Sequence, residues 1–325
     1  MSGYDPYGWE RLMRCADAAP SVLNTKPWLF ERVADDRIEL RPNWDRHLKA
    51  VDPLHRELLI SCGAALFNLR MALRVSGHDP VVWLLPDEQT PGTSQCPHCH
   101  DYCGVRDLLA SVEIVTKRSH PATFIEERLY EAILRRHTVR EPFHRRIPMT
   151  MLTELERVAR MEKVDARLVH PRDVKAVLEQ AASADEQLKA DTTQLTEISR
   201  WTGGAARRGL GVPAAAFGPR PKDPRHSPIR DFGLSWHGHR ETADFEKQPQ
   251  LIVLETVTDT PESWLRLGQG LQRLLLTATY YGVQASFLTQ QLELTDQHIH
   301  HGPGVQQPWP WPARSAQMVI RVGHV

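Results

Sequence analysis

Hydrophobic and polar positions alternate along the chain with helical and strand periods, and they predict short strands interspersed with helices. Near the N-terminus, Asp5-Pro6 predicts the start of a helix that reaches about Ala18, because Asp is a good N-cap and Pro fits the first helical position. The next apolar runs predict strands over 28–33, 37–41, 80–85 and 112–116, and a helix from 52 to about Gly77.

The remainder of the chain has the same mixed character. Helical spacing predicts helices over about 122–136, 150–161, 171–198 and 260–282, and shorter apolar runs predict strands over 164–169, 250–256, 284–289 and 317–322. Residues 203–245 are rich in Gly, Pro and Arg and show little periodicity. His298, His300 and His301 are typical of a solvated loop.

Two of the predicted helices carry an internal repeat. Each begins at a proline and ends at a glycine before a strand, and four positions match at one constant offset of 205: Gly63, Leu66, Leu69 and Gly77 onto Gly268, Leu271, Leu274 and Gly282. A glycine inside a helix costs about 1 kcal/mol relative to alanine, which suggests that another helix or a ligand approaches closely there. The alternative is that two amphipathic helices share an apolar stripe by chance.

Composition narrows the classes of partner. Lys plus Arg number 40 and Asp plus Glu number 40, so the neutral chain shows no general attraction for nucleic acid or an anionic membrane. No apolar run approaches the roughly 18 residues of a membrane span, and the N-terminus lacks the pattern of a secretory signal. Five cysteines are too few and too unevenly spaced for a disulfide scaffold. We therefore expect a cytoplasmic protein without nucleic-acid or membrane partners.

The first candidate binding segment is the loop between the first predicted helix and strand. It presents Pro20, Ser21 and Asn24 together with backbone amides, which suit the edge of a planar heteroaromatic ring. The alternative is an ordinary turn, because Pro, Ser and Asn are common turn formers.

The second candidate segment follows the helix predicted to end near 136. Arg136, Thr138 and Arg140 alternate, so an extended backbone would put all three side chains on one face as a phosphate clamp. The alternative is a basic helix C-terminus that complements the helix dipole.

Together these segments resemble the flavin nitroreductase family. The resemblance lies in Pro20-Ser21-x-x-Asn24-x-x-Pro27-Trp28, in Arg136-His137-Thr138-x-Arg140-x-x-Phe143 and in the closing stretch 318–324. The stretches 24–28, 61–70 and 135–138 look more narrowly like the double-length, FMN-binding Acg-type branch of that family. The resemblance covers nearly the whole chain.

The resemblance implies an α+β, nitroreductase-like fold in which two fused halves form an intramolecular pseudo-dimer. Residues 1–118 would form the first half and 119–325 the second, each an antiparallel or mixed sheet packed with helices, with a possible lid at 203–245. Family members bind FMN between subunits. Here one motif lies in each half, so the expectation is a single composite FMN site in a monomer.

The resemblance also implies which residues bind the cofactor. Pro20, Ser21, Asn24 and Lys26 would lie at the flavin ring and ribityl chain, and Lys26 stands where the family usually has Gln. The phosphate would be held by Arg136, His137, Thr138 and Arg140. Thr289, Gln290 and Arg321 complete the expected FMN-binding set, with Thr289-Gln290 near the isoalloxazine edge.

The implied activity is transfer of hydride from NAD(P)H through FMN to a small acceptor such as a nitroaromatic or a quinone. No dedicated catalytic side chain is expected, because the cofactor carries the chemistry. One alternative is a protein that binds or sequesters FMN under a lid with little turnover. Another is a structural pseudo-dimer with a zinc knuckle and no flavin.

A short cysteine-rich stretch is not explained by the resemblance. Cys96, Cys99, His100 and Cys103 have the residue types and part of the spacing of a structural zinc site. A second Cys-x2-Cys pair is missing, so the alternative of reduced, metal-free thiols remains open.

Overall fold

The computed structural model describes residues 8–86, 107–115, 120–206, 209–227, 229–233, 238–301 and 315–325. Its helices are α1 (Trp9–Ala16), α2 (Arg56–Val75), α3 (Phe124–Ile133), α4 (Met149–Arg160), α5 (Pro171–Ala190), α6 (Thr192–Arg200), α7 (Pro261–Tyr280) and α8 (Gln290–His301). Its strands are β1 (Trp28–Ala34), β2 (Arg37–Pro42), β3 (Asp79–Leu84), β4 (Ala110–Val115), β5 (Asp165–Leu168), β6 (Arg220–Pro221), β7 (Thr242–Ala243), β8 (Gln250–Thr256), β9 (Gln284–Phe287) and β10 (Ser315–Gly323).

Two antiparallel sheets of four strands share the same connectivity. Their strand orders are β1-β2-β4-β3 and β5-β8-β10-β9. In both sheets the strand before the long helix (β2 or β8) is internal, and the strand after that helix (β3 or β9) is at the edge. The expected α+β class is therefore confirmed.

The long helices α2 and α7 form the centre of the core. Each has 20 residues, and their first and last residues are separated by the same 205 positions as the sequence repeat. They cross at Gly63 and Gly268. A Cβ on Gly63 would overlap the carbonyl oxygen of Leu265, and a Cβ on Gly268 would overlap that of Ile60. Leu265 is itself the repeat counterpart of Ile60, so the contact is reciprocal, as in an isologous interface.

The helix α2 has the length and hydropathy of a membrane span, but 83% of its most apolar window is buried inside the protein. Its neighbours include Ile38 and Leu40 of β2 and Leu267 and Leu271 of α7 in one apolar cluster. The apolar composition of α2 therefore reflects its position as a core helix.

Several predicted element bounds were wrong. The helix predicted over 171–198 breaks at Asp191, which has an extended backbone (φ −83°, ψ 107°) and caps α6 by accepting N–H bonds from Thr193 and Gln194. α8 covers the positions that sequence indicated as a loop, and β9 ends at Phe287 rather than at 289.

The starts of the first two helices also differ from the predictions. α1 begins at Trp9 after Gly8, whose φ of 65° is left-handed, while Asp5 and Pro6 lie outside the described residues. α2 begins at Arg56 because His55 has a φ of 62°. Asp52 still caps this helix, since its carboxylate accepts the N–H groups of Glu57 (3.0 Å) and Leu58 (2.8 Å).

Candidate functional site

Both predicted binding segments face one cavity of about 290 Å³, near the lower end of the range for small-molecule sites. The wall is contributed by the loop 19–24, by α2, by 136–140, by 211–232 and by the region where β9 meets α8. The predicted residues that line it are Pro20, Ser21, Asn24, Arg136, His137, Thr138, Arg140 and Thr289. Residues more than a hundred positions apart in sequence thus meet at one site.

The loop that follows α1 has an unusual backbone. Leu23, Asn24 and Lys26 all have left-handed φ values, of 46°, 53° and 49°. Each non-glycine residue in that region costs on the order of 1–3 kcal/mol, and such strain concentrates at functional sites. The hydroxyl of Ser21 stabilises the turn by accepting the N–H of Lys26 at 2.9 Å.

Asn24 joins this loop to the segment 203–245. Its side-chain amide donates to the carbonyl oxygen of Gly211 at 2.9 Å, and the N–H of Gly211 donates to the carbonyl oxygen of Asn24 at 3.1 Å. We call this reciprocal pair the Asn24–Gly211 clasp. It attaches the loop to a second segment of the cavity wall, and Gly211, with a φ of 78°, provides a backbone conformation that a side chain would disfavour.

The segment 136–140 runs beside β9. Thr138 forms a parallel bridge with Ala285, and the N–H of Val139 donates to the carbonyl oxygen of Ala285 at 2.9 Å. Val139 is buried in the protein, whereas Arg136, Thr138 and Arg140 face the cavity. This is the extended, alternating arrangement that the sequence spacing predicted.

The two guanidinium groups give the cavity a positive end. Arg136 donates to the carbonyl oxygen of Ala18 at 3.4 Å, and its buried Nε has no hydrogen-bond partner among the described residues. Arg140 donates to the carbonyl oxygen of Ala216 at 2.9 Å. Burial lowers the pKa of each arginine to about 10, so both remain cations at neutral pH.

Within the described part of the chain, neither Arg136 nor Arg140 forms a salt bridge with a carboxylate. Cations that are largely removed from water normally have a negatively charged partner. Two guanidinium groups that face a cavity without a carboxylate partner are therefore suited to bind an anion.

Three predicted residues do not line the cavity. Lys26 contributes only its backbone to the loop, where its carbonyl oxygen accepts from Arg46 at 3.0 Å. Gln290 is buried in the first turn of α8. Arg321 is fully buried behind the segment 136–140, where it donates to the carbonyl oxygen of Glu141 at 2.6 Å and stacks on the ring of Phe143 at 3.8 Å. Arg321 therefore packs against the segment 136–140 from inside the protein and does not reach the cavity.

The cavity also contains charged residues that sequence reasoning missed. Nη1 of Arg230 donates to both carboxylate oxygens of Glu293, at 2.8 and 2.6 Å, although the two residues are 63 positions apart, so no local pattern indicated them. Glu57 lies in the first turn of α2, where an acid is expected simply to complement the helix dipole. The sequence feature that could have indicated Glu57 is its position at the start of an otherwise apolar helix.

The proposed zinc ligands Cys96, Cys99, His100 and Cys103 lie outside the described residues. Within the described ranges, no group of three or more His, Cys, Asp or Glu side chains is arranged to hold a metal ion. Cys15 and Cys62 are buried, and burial raises the pKa of both thiols.

The chain therefore combines an α+β fold, in which two sheets share one strand order, with a cavity that contains two arginines without a salt bridge among the described residues. No protein-family model matches the chain. It is 29% identical over 318 residues to the Mycobacterium tuberculosis H37Rv protein named "Putative NAD(P)H nitroreductase Rv3131", with 96% of this chain and 83% of that protein covered. It is 28% identical over 317 residues to "Putative NAD(P)H nitroreductase acg" from the same strain, with 96% and 87% covered.

The chain is thus similar, over nearly its whole length, to proteins named as putative NAD(P)H nitroreductases. Among solved structures, a nitroreductase with bound FMN from Bacteroides fragilis NCTC 9343 aligns with a TM-score of 0.35 and 14% identity, covering 60% of this chain and 87% of that one. A TM-score this low carries no argument about the site.

Proposed function

We propose that the protein is an FMN-dependent oxidoreductase of the nitroreductase type, with one composite FMN site per chain. The observation that carries the proposal is the meeting of the loop 20–24 and the segment 136–140 at one cavity, where two partly buried arginines form no salt bridge among the described residues. The relatives named as NAD(P)H nitroreductases support the same reading.

The residues present fit FMN. Arg136, Thr138 and Arg140 offer two guanidinium groups and a hydroxyl to its phosphate, and the unpartnered Nε of Arg136 is an available donor. The backbone of the loop 20–24 would border the ring and ribityl chain. When bound, FMN would supply two-electron chemistry between NAD(P)H and a small acceptor such as a nitroaromatic or a quinone.

We further propose that residues 1–118 and 119–325 act as the two halves of an intramolecular pseudo-dimer, so that the chain functions as a monomer. The shared strand order of the two sheets and the reciprocal crossing at Gly63 and Gly268 support this. Residues 203–245 would then serve as a lid over the site.

A second candidate function is FMN storage or sequestration with little turnover. The Asn24–Gly211 clasp favours it, because the clasp attaches the lid to the loop at the ring side of the site. A lid fixed in this way would restrict access of a nicotinamide to the flavin.

The binding part of the proposal is tested by titrating the apoprotein with FMN and following flavin fluorescence. Replacing Arg136→Ala or Arg140→Ala removes charge-assisted hydrogen bonds, and we expect affinity to fall roughly 10- to 100-fold. Arg135→Ala, at the exposed neighbouring position, is the matched control and should bind as the parent does. A parent chain that retains no FMN would overturn the proposal.

Anaerobic addition of NADH or NADPH to the FMN-loaded protein separates the two candidate functions. Bleaching of the flavin within a catalytic time scale supports the oxidoreductase. Flavin that stays oxidised for many minutes while remaining bound supports sequestration.

A further inference from the structure

A cluster of four buried carboxyl groups lies beside the cavity, at the start of α2 and along α8. Two arginines accompany them. The acids are Asp52, Glu57, Glu293 and Asp296, and the arginines are Arg56 and Arg230. A buried group of this composition cannot be fully ionised without a large cost, because two negative charges would be left without a partner.

Both arginines are already used by the acids of α8. Arg56 donates from Nε to Asp296 at 2.7 Å, and Arg230 donates to both carboxylate oxygens of Glu293. Glu293 also accepts the hydroxyl hydrogen of Thr289 at 2.8 Å. These two acids therefore have arginine partners, whereas Asp52 and Glu57 form no salt bridge among the described residues.

Asp52 and Glu57 differ in what surrounds them. Asp52 accepts two backbone N–H groups at the N-terminus of α2, which favour its ionised form against its burial. Among the described residues the Glu57 side chain has no hydrogen-bond partner, its Oε1 is buried and unpartnered, and the residue is 6% exposed. Glu57 also lines the cavity, whereas Asp52 does not.

The electrostatics agree with this geometry. Burial is the largest effect that raises the pKa of Glu57 well above its usual value, and the negative charge of Glu293 adds to it. Asp52 and Asp296 act in the same direction, while Arg56 acts in the opposite one.

We propose that Glu57 is a neutral carboxylic acid that donates a proton to the acceptor while the acceptor is reduced in this cavity. The proposal rests on the proposed oxidoreductase function. With a quinone as acceptor, addition of the hydride that bound FMN would supply would give the monoanion of the hydroquinone. The O–H bond of Glu57 then breaks, a new O–H bond forms on the phenolate oxygen, and the carboxylate recovers its proton from water. The sum is quinone plus hydride plus one proton giving hydroquinone.

The internal repeat offers a matched control for testing this role. Glu262 stands 205 positions after Glu57, at the same place in α7, but its side chain is exposed and pairs with Arg266. Glu57→Gln and Glu262→Gln are therefore the same substitution at equivalent helix positions, one facing the cavity and one facing solvent.

The experiment uses the FMN-loaded protein and measures the two half-reactions separately by stopped flow. With Glu57→Gln, we expect flavin reduction by NAD(P)H to stay within about twofold of the parent, and reoxidation by the quinone menadione to slow at least tenfold at pH 7. The parent reoxidation rate should fall as pH rises through the Glu57 pKa, and Glu57→Gln should remove that fall. Glu262→Gln should match the parent in both half-reactions.

Infrared difference spectra between the parent and Glu57→Gln at pH 7 provide a readout without turnover. We expect the carbonyl band of a protonated carboxylic acid, and a carboxylate band would overturn the inference while leaving the proposed function intact. Reoxidation that is unchanged in Glu57→Gln would overturn it as well. Failure of NAD(P)H to bleach the bound flavin in parent and variants alike would overturn the proposed oxidoreductase function, and the proton-donor role with it.

Discussion

At the scale of single residues, the cavity and its surroundings hold charges of both signs that form no salt bridge among the described residues. Arg136 and Arg140 are partly buried cations, and Asp52 and Glu57 are buried acids. Each arrangement costs stability in the absence of a bound anion or a bound proton. We therefore expect a bound anion beside the two arginines and a bound proton on the acidic group.

The titration of Asp52 gives a stability prediction. Burial raises its pKa from 3.8 to about 7, against the two backbone N–H bonds and Arg56. Because the folded pKa lies above the unfolded one, this group favours folding below about pH 4, and that contribution is lost as pH rises towards 7. We expect Asp52→Asn, which keeps an acceptor at the cap, to be relatively more stable than the parent at pH 8 and close to it at pH 4.

Urea denaturation of both proteins across that pH range measures the difference. Asp52→Ala is the control for the cap itself, and it should be about 1 kcal/mol less stable than Asp52→Asn at every pH, because the acceptor at the start of the helix is gone in the alanine variant only. If the free energies of unfolding of the parent and Asp52→Asn changed in parallel with pH, the raised pKa would not belong to Asp52.

At the scale of elements, the crossing of α2 and α7 fixes how the two sheets approach each other. Gly63→Ala and Gly268→Ala would each gain up to about 1 kcal/mol of helix propensity. The added methyl would nevertheless overlap backbone carbonyl oxygens that cannot move independently, so we expect a net loss of roughly 1–3 kcal/mol in the free energy of unfolding.

Gly204 is the matched control for these substitutions, because a Cβ there meets no atom within 4 Å. Gly204→Ala should change the free energy of unfolding by less than about 0.5 kcal/mol. If the two core substitutions behaved like this control, the close approach of the helices would be refuted.

The Asn24–Gly211 clasp gives a second prediction at this scale. Asn24→Gly removes the side-chain amide but tolerates the left-handed backbone, so it isolates the hydrogen bond. We expect faster amide exchange over 211–216. Loss of one hydrogen bond worth roughly 1 kcal/mol should also raise the FMN dissociation rate about fivefold. Hydrogen–deuterium exchange with mass spectrometry and a flavin-release assay measure the two effects.

Lys26→Gly is the control for the clasp variant, since Lys26 has the same left-handed backbone and lies outside the cavity wall. It should leave exchange over 211–216 unchanged. Equal effects from the two variants would point to loss of loop rigidity rather than to loss of the clasp.

Sequence reasoning succeeded where the determining interactions are local. The periodic apolar faces and C-terminal glycines of α2 and α7 predicted both helices, and the alternation of Arg136, Thr138 and Arg140 predicted the face that meets the cavity. α8 was missed because its buried acids, Glu293 and Asp296, are polar by composition. Their burial depends on arginines 63 and 240 positions away, which no local window contains.

At the scale of the whole molecule, the cavity draws its wall from both ends of the chain. Its loop 20–24 and part of α2 come from residues before 119, and its arginine segment and 211–232 come from residues after 118. From a composite cavity of this kind we expect FMN binding to require both halves of the chain.

Cutting the chain between 118 and 119 tests this dependence. We expect fragments 1–118 and 119–325, produced separately, to bind no FMN, because each lacks one side of the cavity. Coexpressed, they should associate through the α2–α7 crossing and recover flavin binding, as measured by retained absorbance after gel filtration. A coexpressed pair carrying Arg140→Ala in the second fragment is the control for specificity, and it should associate but retain little flavin. FMN binding by 119–325 alone, at the affinity of the intact chain, would mean that the arginine segment suffices, and the two-half site would have to be abandoned.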